Sequence, residues 1–273
     1  MPKHPLTIAK TAIIFQGKGA LPIVRNSFIQ MSKLTNLKGR INYISSHARQ
    51  ENLYAVYETT DRKFWTELAK CNQEEFMKSG TEGTCIEARE LIIALPESFV
   101  DYEPDKLLKL FTEHFKQKYG VECIAALHHN KRKTNYHIHL IFSERRLLDE
   151  PMEKIATRNM FYDETGKHVR TKKEILDEAG QLRCGCRIIP KGEVYERNIF
   201  TIKDSRFKCD SFLDEAKRSY TDLINIYVRD DEEKLKVFDK NGVYLPMKKV
   251  GKNNPKAEQI EADNRVCTMW IQT

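Results

Sequence analysis

The sequence predicts an α+β fold: a mainly antiparallel sheet with flanking helices, followed by a basic, turn-rich and helical extension. Three observations carry this. Apolar residues recur at helical spacing in separated segments and at strand spacing in others. Two strand-like runs, VECIAALHH and YHIHLIFSE, flank only the polar loop NKRKTN, which suits an antiparallel hairpin. Beyond Glu150 the chain turns polar and rich in Gly, Lys and Arg.

In chain order, TIAKTAIIFQ (7–16) reads as an opening strand, broken by the Gly and Pro of GKGALP. Residues 35–46 read as a helix with Thr35 or Asn36 as cap and Leu37, Ile41 and Ile44 on one face. Residues 61–80 form a second amphipathic helix ending at Gly80, and 85–96 (CIEARELIIALP) a strand. Pro104 and Asp105 open a third helix, with Leu108, Phe111 and Phe115 as its stripe and Gly120 as its C-terminal stop. The hairpin strands follow. Residues 151–208 carry turn signals such as DETGKH and IPKGEVYERN, and 167–208 hold 11 Lys and Arg against 6 Asp and Glu. Residues 211–228 return to helix, and a turn-rich segment suggests a hairpin around Asn241–Gly242. The expected organisation is a core over 1–150 and a basic, turn-rich and helical continuation of it over 151–273.

The 273 residues are 40% hydrophobic and 31% charged, with a mean hydropathy of −0.59, which describes a strongly charged chain with a real core. A net charge of +7 suits a polyanionic partner. No run is long enough for a membrane span, and the N-terminal apolar run is too short for a signal peptide. Seven scattered cysteines read as reduced thiols, so the expected location is the cytoplasm. Cys184 and Cys186 form a CxC without the second pair that a structural zinc site needs.

The chemistry-bearing stretch is NYHIHLIFSER. In a strand, side chains two apart share a face, so His137 and His139 leave the sheet together. They are either two satisfied surface rings or two ligands of one metal. The hairpin returns His128 or His129 toward them, and three imidazoles leave coordination positions open for a substrate oxygen. Glu90 stands on an otherwise apolar strand face with Ile86, Ala88, Ile92 and Ala94. It needs a partner, the second nitrogen of a metal-bound imidazole or Arg89, or else an exposed place at a sheet edge. Tyr43 lies about 100° from the centre of its helix's buried stripe, at its boundary. A phenol of ordinary pKa, about 10, is a weak nucleophile until a site activates it.

These stretches resemble the MobA/MobL-type mobilisation relaxases, a branch of the HUH endonucleases. ALHHNKRKTNYHIHLIFSER is similar to their Ala-x-His, hairpin and HxH motif, EARELIIALP to their acidic strand, and LKGRINYISS to the motif carrying the nicking tyrosine. IIPKGEVYERNIF and the helix after it resemble the downstream half of firmicute-type members, so the resemblance covers most of the chain. It implies an HUH-like fold, with His128, His137 and His139 as metal ligands and His129 as the alternative third. It implies Tyr43 as nucleophile, with Tyr54 and Tyr57 behind it, and Glu90 as the acidic site residue. It implies a divalent metal cofactor, Mg²⁺ or Mn²⁺, although three imidazoles alone favour Mn²⁺, Co²⁺ or Zn²⁺ over Mg²⁺.

The expected function is a relaxase that nicks single-stranded DNA at a transfer origin and keeps a 5′-phosphotyrosine link, possessing accessory relaxosome and coupling proteins as partners. Lys131, Arg132, Lys133 and Arg145 are the expected DNA contacts. The alternatives are a rolling-circle replication initiator or transposase of the same chemistry, and an inactive DNA-binding remnant. EADNRVCTMWIQT stops where such proteins run on, so a truncated or decayed copy is expected.

Overall fold

The computed structural model describes residues 24–130, 132–239 and 255–272. The strand expected at 7–16, the hairpin at Asn241–Gly242 and Lys131 lie outside the described residues. The elements run β1 (Arg25–Asn26), β2 (Ile29–Leu34), α1 (Leu37–Ile44), β3 (Leu53–Glu58), α2 (Arg62–Ser79), β4 (Ala88–Leu95), α3 (Pro104–Tyr119), β5 (Cys123–His129) and β6 (Tyr136–Phe142). Then come β7 (Leu147–Ile155), β8 (Met160–Tyr162), β9 (His168–Val169), β10 (Arg187–Ile189), β11 (Val194–Phe200), α4 (Asp210–Tyr227), β12 (Leu235–Lys236) and α5 (Ala257–Gln272).

The expected α+β class is what the chain adopts. Five strands form one sheet in the order β2-β4-β6-β5-β3, every neighbouring pair antiparallel. The hairpin forms as read, with His128 opposite His137 and His129 opposite Tyr136. The helices start where their chemistry says. The Asn36 side chain accepts from the Gly39 N–H at 2.9 Å, which decides between the two cap candidates of α1. A Cβ on Gly39 would meet the Asn36 amide at 2.6 Å, so a larger residue there would make the capping side chain shift. Asp61 caps α2, and Gly80 and Gly120 end α2 and α3 at φ 62° and 68°, the left-handed region that glycine tolerates.

Both sheet faces are covered. Leu107, Leu108, Phe111 and Phe115 of α3 and Phe212, Ala216, Tyr220 and Leu223 of α4 pack on Leu91, Ile93, Leu127, Ile138, Leu140 and Phe142. On the other face Leu37, Ile41 and Ile44 of α1 and Phe64, Trp65 and Leu68 of α2 pack on Ala88, Ile124, Ala126 and Ile141. Burying each large apolar side chain stabilises by about 1.5–3 kcal/mol, so these faces fix both the helix positions and the strand register. The core therefore continues past residue 150 into α4. Between β6 and α4 the chain makes an excursion: β7 and β11 pair as an antiparallel ribbon that carries a small β10-β8-β9 sheet.

Two edge strands, β2 and β3, were not expected from the sequence. Each is six residues with a mixed apolar and polar pattern and no long apolar run.

Candidate active site

Register determines the site. His139 stands opposite Ile92 and Ala126, and His137 opposite Ala94 and His128, so His128, His137 and His139 share a face with Glu90. That face is the one covered by α1. The ring centroids lie 4.9 Å (His137–His139), 5.1 Å (His128–His139) and 5.9 Å (His128–His137) apart. His129, the alternative third ligand, points to the opposite face. There its Nδ1 meets the Tyr54 hydroxyl at 3.1 Å, its Nε2 meets Glu97 at 3.2 Å, and its ring lies against Tyr136.

Hydrogen-bond partners assign the tautomers. His128 Nε2–H donates to the Ile44 carbonyl at 2.8 Å, at the end of α1. His137 Nδ1–H donates to the Asn135 carbonyl at 3.0 Å. His139 Nδ1–H donates to Glu90 Oε1 at 2.9 Å. Arg40 Nη2 also lies 3.2 Å from that nitrogen, but a guanidinium only donates, so its hydrogen goes to Glu90 Oε1 at 2.8 Å. Each imidazole is left with one lone pair. The Nε2 atoms of His137 and His139 lie 3.2 Å apart, so with both rings neutral in these tautomers two lone pairs converge on one point. A shared cation, either a proton or a metal ion, joins two rings placed this way.

Glu90 is 2% exposed and accepts from Arg40 Nε and Nη2, from His139 and, at 3.4 Å, from Ser32. Burial alone would raise its pKa, but the hydrogen bonds from His139 and Arg40 and the Arg40 charge outweigh burial and hold it below the ordinary carboxylate value. Arg89, the other candidate partner, instead pairs with buried Glu144 at 2.6 Å.

The donor set fits a metal ion. Three imidazoles each have one nitrogen anchored to an oxygen and the other available, and a buried carboxylate backs one of them, as around bound metals. As the rings stand, no group of three or more His, Cys, Asp or Glu side chains among the described residues is arranged to hold a metal ion. The fit rests on the donor chemistry.

Burial, and secondarily His139, depresses His128 to about 3 and His137 to about 4. In the unfolded chain both titrate near 6.5. Below about 6.5 the unfolded state takes up protons that the folded state refuses, so this stability is complete above that pH and lost toward about 3. The metal-free protein is therefore expected to lose melting temperature between pH 6.5 and 4, and His128→Gln should flatten the profile. Parallel profiles for the two proteins would show that His128 contributes nothing to it.

Tyr43 lies on the same side of the sheet as the histidines, on α1, and is 42% exposed. The Arg40 guanidinium carbon lies 5.4 Å from its ring centroid. Tyr57 points to the far face, where its hydroxyl donates to Glu113 on α3 at 2.7 Å. Tyr54 sits with His129, also away from the three histidines.

Of the expected DNA contacts, Arg145 needs correction. It is 2% exposed, and its guanidinium is held by Asn72 at 2.9 Å, by Glu75 and by the Thr201 carbonyl at 2.8 Å. It ties the sheet to α2 and to the chain after β11, and is not available to a phosphate. Its neighbourhood in sequence was basic, but burial was invisible there. Arg132 and Lys133 are exposed in the hairpin turn, whose backbone the Asn130 side chain holds by accepting from the Thr134 N–H at 2.8 Å. Arg40 was missed altogether. It looks like any helical arginine, and its partner Glu90 is fifty residues away.

A profile of the MobA/MobL family matches residues 47–257. The chain belongs to the MobA/MobL family. The matched span holds Glu90 and the three histidines and begins just after Tyr43, and membership carries the general reading of a mobilisation relaxase. No curated protein matches. A solved structure titled "Molecular Basis of Vancomycin Resistance Transfer in Staphylococcus aureus" is 14% identical, covering 74% of this chain and 91% of that chain, with a TM-score of 0.39. Among the described residues no helix of this MobA/MobL member is long and apolar enough to cross a membrane.

Proposed function

We propose that this MobA/MobL member nicks single-stranded DNA at the transfer origin of a mobile element by tyrosine transesterification. The carrying observation is the shared face: three histidines with free lone pairs, an ionised buried Glu90, and α1 above them bearing Tyr43. In the step, the Tyr43 oxygen bonds to phosphorus while the bond from phosphorus to the 3′ oxygen breaks. The phenolic proton passes to solvent and the departing 3′ oxygen takes one up. The count of phosphoester bonds is unchanged, so rejoining needs no ATP.

His128, His137 and His139 would hold the divalent metal, Mg²⁺ or Mn²⁺, which when bound supplies Lewis-acid polarisation of the phosphate oxygens. Glu90 keeps the His139 proton on Nδ1 and so keeps Nε2 free. The Ile44 and Asn135 carbonyls do the same for His128 and His137. Nucleophile and phosphate meet on one fixed face, which removes much of the orientational cost of attack.

Lys131, Arg132 and Lys133 would track the DNA backbone, Arg132 and Lys133 from the hairpin turn. Neutralising all three is expected to weaken single-strand binding and make it less salt-sensitive, each lost phosphate contact lowering the slope of log K against log salt by about 0.7. An unchanged slope would place the turn away from DNA.

The functional reading is tested by incubating the protein and Mn²⁺ with single-stranded oligonucleotides tiling the origin region of the element that carries its gene. The expected product is a covalent protein–DNA adduct in the intact mass. Absence of any adduct across the tiles, with DNA still bound, would make the chain a binding remnant.

A further inference from the structure

Arg40 touches both halves of the candidate site. Its Nε and Nη2 bond to Glu90 at 2.8–3.1 Å, and Glu90 in turn holds His139. Three residues further along α1, on the neighbouring helix surface, stands Tyr43, its ring centroid 5.4 Å from the Arg40 guanidinium carbon. Charge compensation for a buried carboxylate explains the first contact. The same fork, fixed on Glu90 through Nε and Nη2, also sets the guanidinium beside the Tyr43 ring.

The geometry points to Arg40 as a positioning residue for the nucleophile, one that ties the Tyr43 ring to the Glu90–His139 pair and keeps a fixed cation beside it. This inference rests on the reading of Tyr43 as the nicking tyrosine. Two physical effects follow from the placement. A side chain as exposed as Tyr43 samples several rotamers in water, and the guanidinium against its face restricts them. As the phenol gives up its proton, negative charge develops on the ring and oxygen, and a preorganised cation stabilises it without reorganising. Because the same guanidinium is bonded to Glu90, the tyrosine is referenced to the face that binds the phosphate.

The test compares Arg40→Ala with the parent in single-turnover cleavage at saturating oligonucleotide. The rate is expected to fall at least about thirtyfold, the scale set by loss of one preorganised charge or by misplacing a reacting group. Oligonucleotide Kd and Mn²⁺ affinity should stay within about threefold, because Arg40 touches neither ligand in this account. Added ethylguanidinium should restore part of the Arg40→Ala rate and none of the Tyr43→Phe rate, a response that a merely structural arginine would not give. If Arg40→Ala does not fold cooperatively, Arg40→Gln takes its place, keeping a donor for Glu90 while removing the charge.

An unchanged saturated rate, a loss confined to DNA or Mn²⁺ affinity, or no rescue would each overturn the inference. The parent's adduct separates the two readings. A parent that forms none overturns nicking and this inference together. A parent that forms one while the Arg40 variant keeps its rate overturns the inference alone.

Discussion

His137→Ala and His139→Ala are each expected to abolish cleavage and to lower Mn²⁺ affinity at least about tenfold while the fold survives. The reason lies in how little else these rings do. His137 has one anchoring bond, to the Asn135 carbonyl, and its Nε2 faces only the Nε2 of His139. Removing either ring destroys that shared cation position. The apolar packing of α1 and α2 on the sheet is untouched, so melting should change little for His137→Ala. His139→Ala strips one donor from buried Glu90 but leaves Arg40 in place. Calorimetric Mn²⁺ titration and an oligonucleotide cleavage assay read the two effects. Chelator-treated parent protein nicking as fast as untreated protein would end the metal hypothesis.

The parts of this molecule that local chemistry dictates were legible in its sequence. Asn36, Asp61, Gly80 and Gly120 mark helix ends because capping is a matter of a few adjacent residues. The hairpin was legible because its strands are apolar and its turn is not. The HxH pair and the lone carboxylate at Glu90 stood out because polar side chains on apolar faces need partners. What escaped depends on pairing across distance. Choosing between His128 and His129 needs the strand register, since a one-residue slip reverses every side chain. The edge strands β2 and β3 carry weak patterns because each borrows half its hydrogen bonds and packing from a neighbour. Arg145 looked basic and available, and only the fold brings Glu75, Asn72 and Thr201 around it. Arg40 gains its place for the same reason, through a partner on a different element.

Tyr43→Phe is expected to keep the fold, Mn²⁺ binding and single-stranded DNA binding and to form no covalent adduct. The substitution removes one oxygen from a side chain that is 42% exposed, so packing loss is small, and the ring remains for the Arg40 guanidinium to lie against. The competing tyrosines are poorly placed for the same chemistry. The Tyr57 hydroxyl is on the far face, donating to Glu113, and that bond, with burial behind it, raises its pKa. The Tyr54 hydroxyl is engaged with His129 at the hairpin end, on the face that carries no free imidazole pair. If attack came from either, it would have to reach around the sheet to a phosphate gathered on the α1 side. The variant therefore separates binding from bond-making: a gel-shift should match the parent's within about twofold, while the intact mass shows protein alone. An adduct formed by Tyr43→Phe at the parent's rate would remove Tyr43 from the mechanism, and peptide mapping of that adduct would then show whether Tyr54 or Tyr57 carries the DNA.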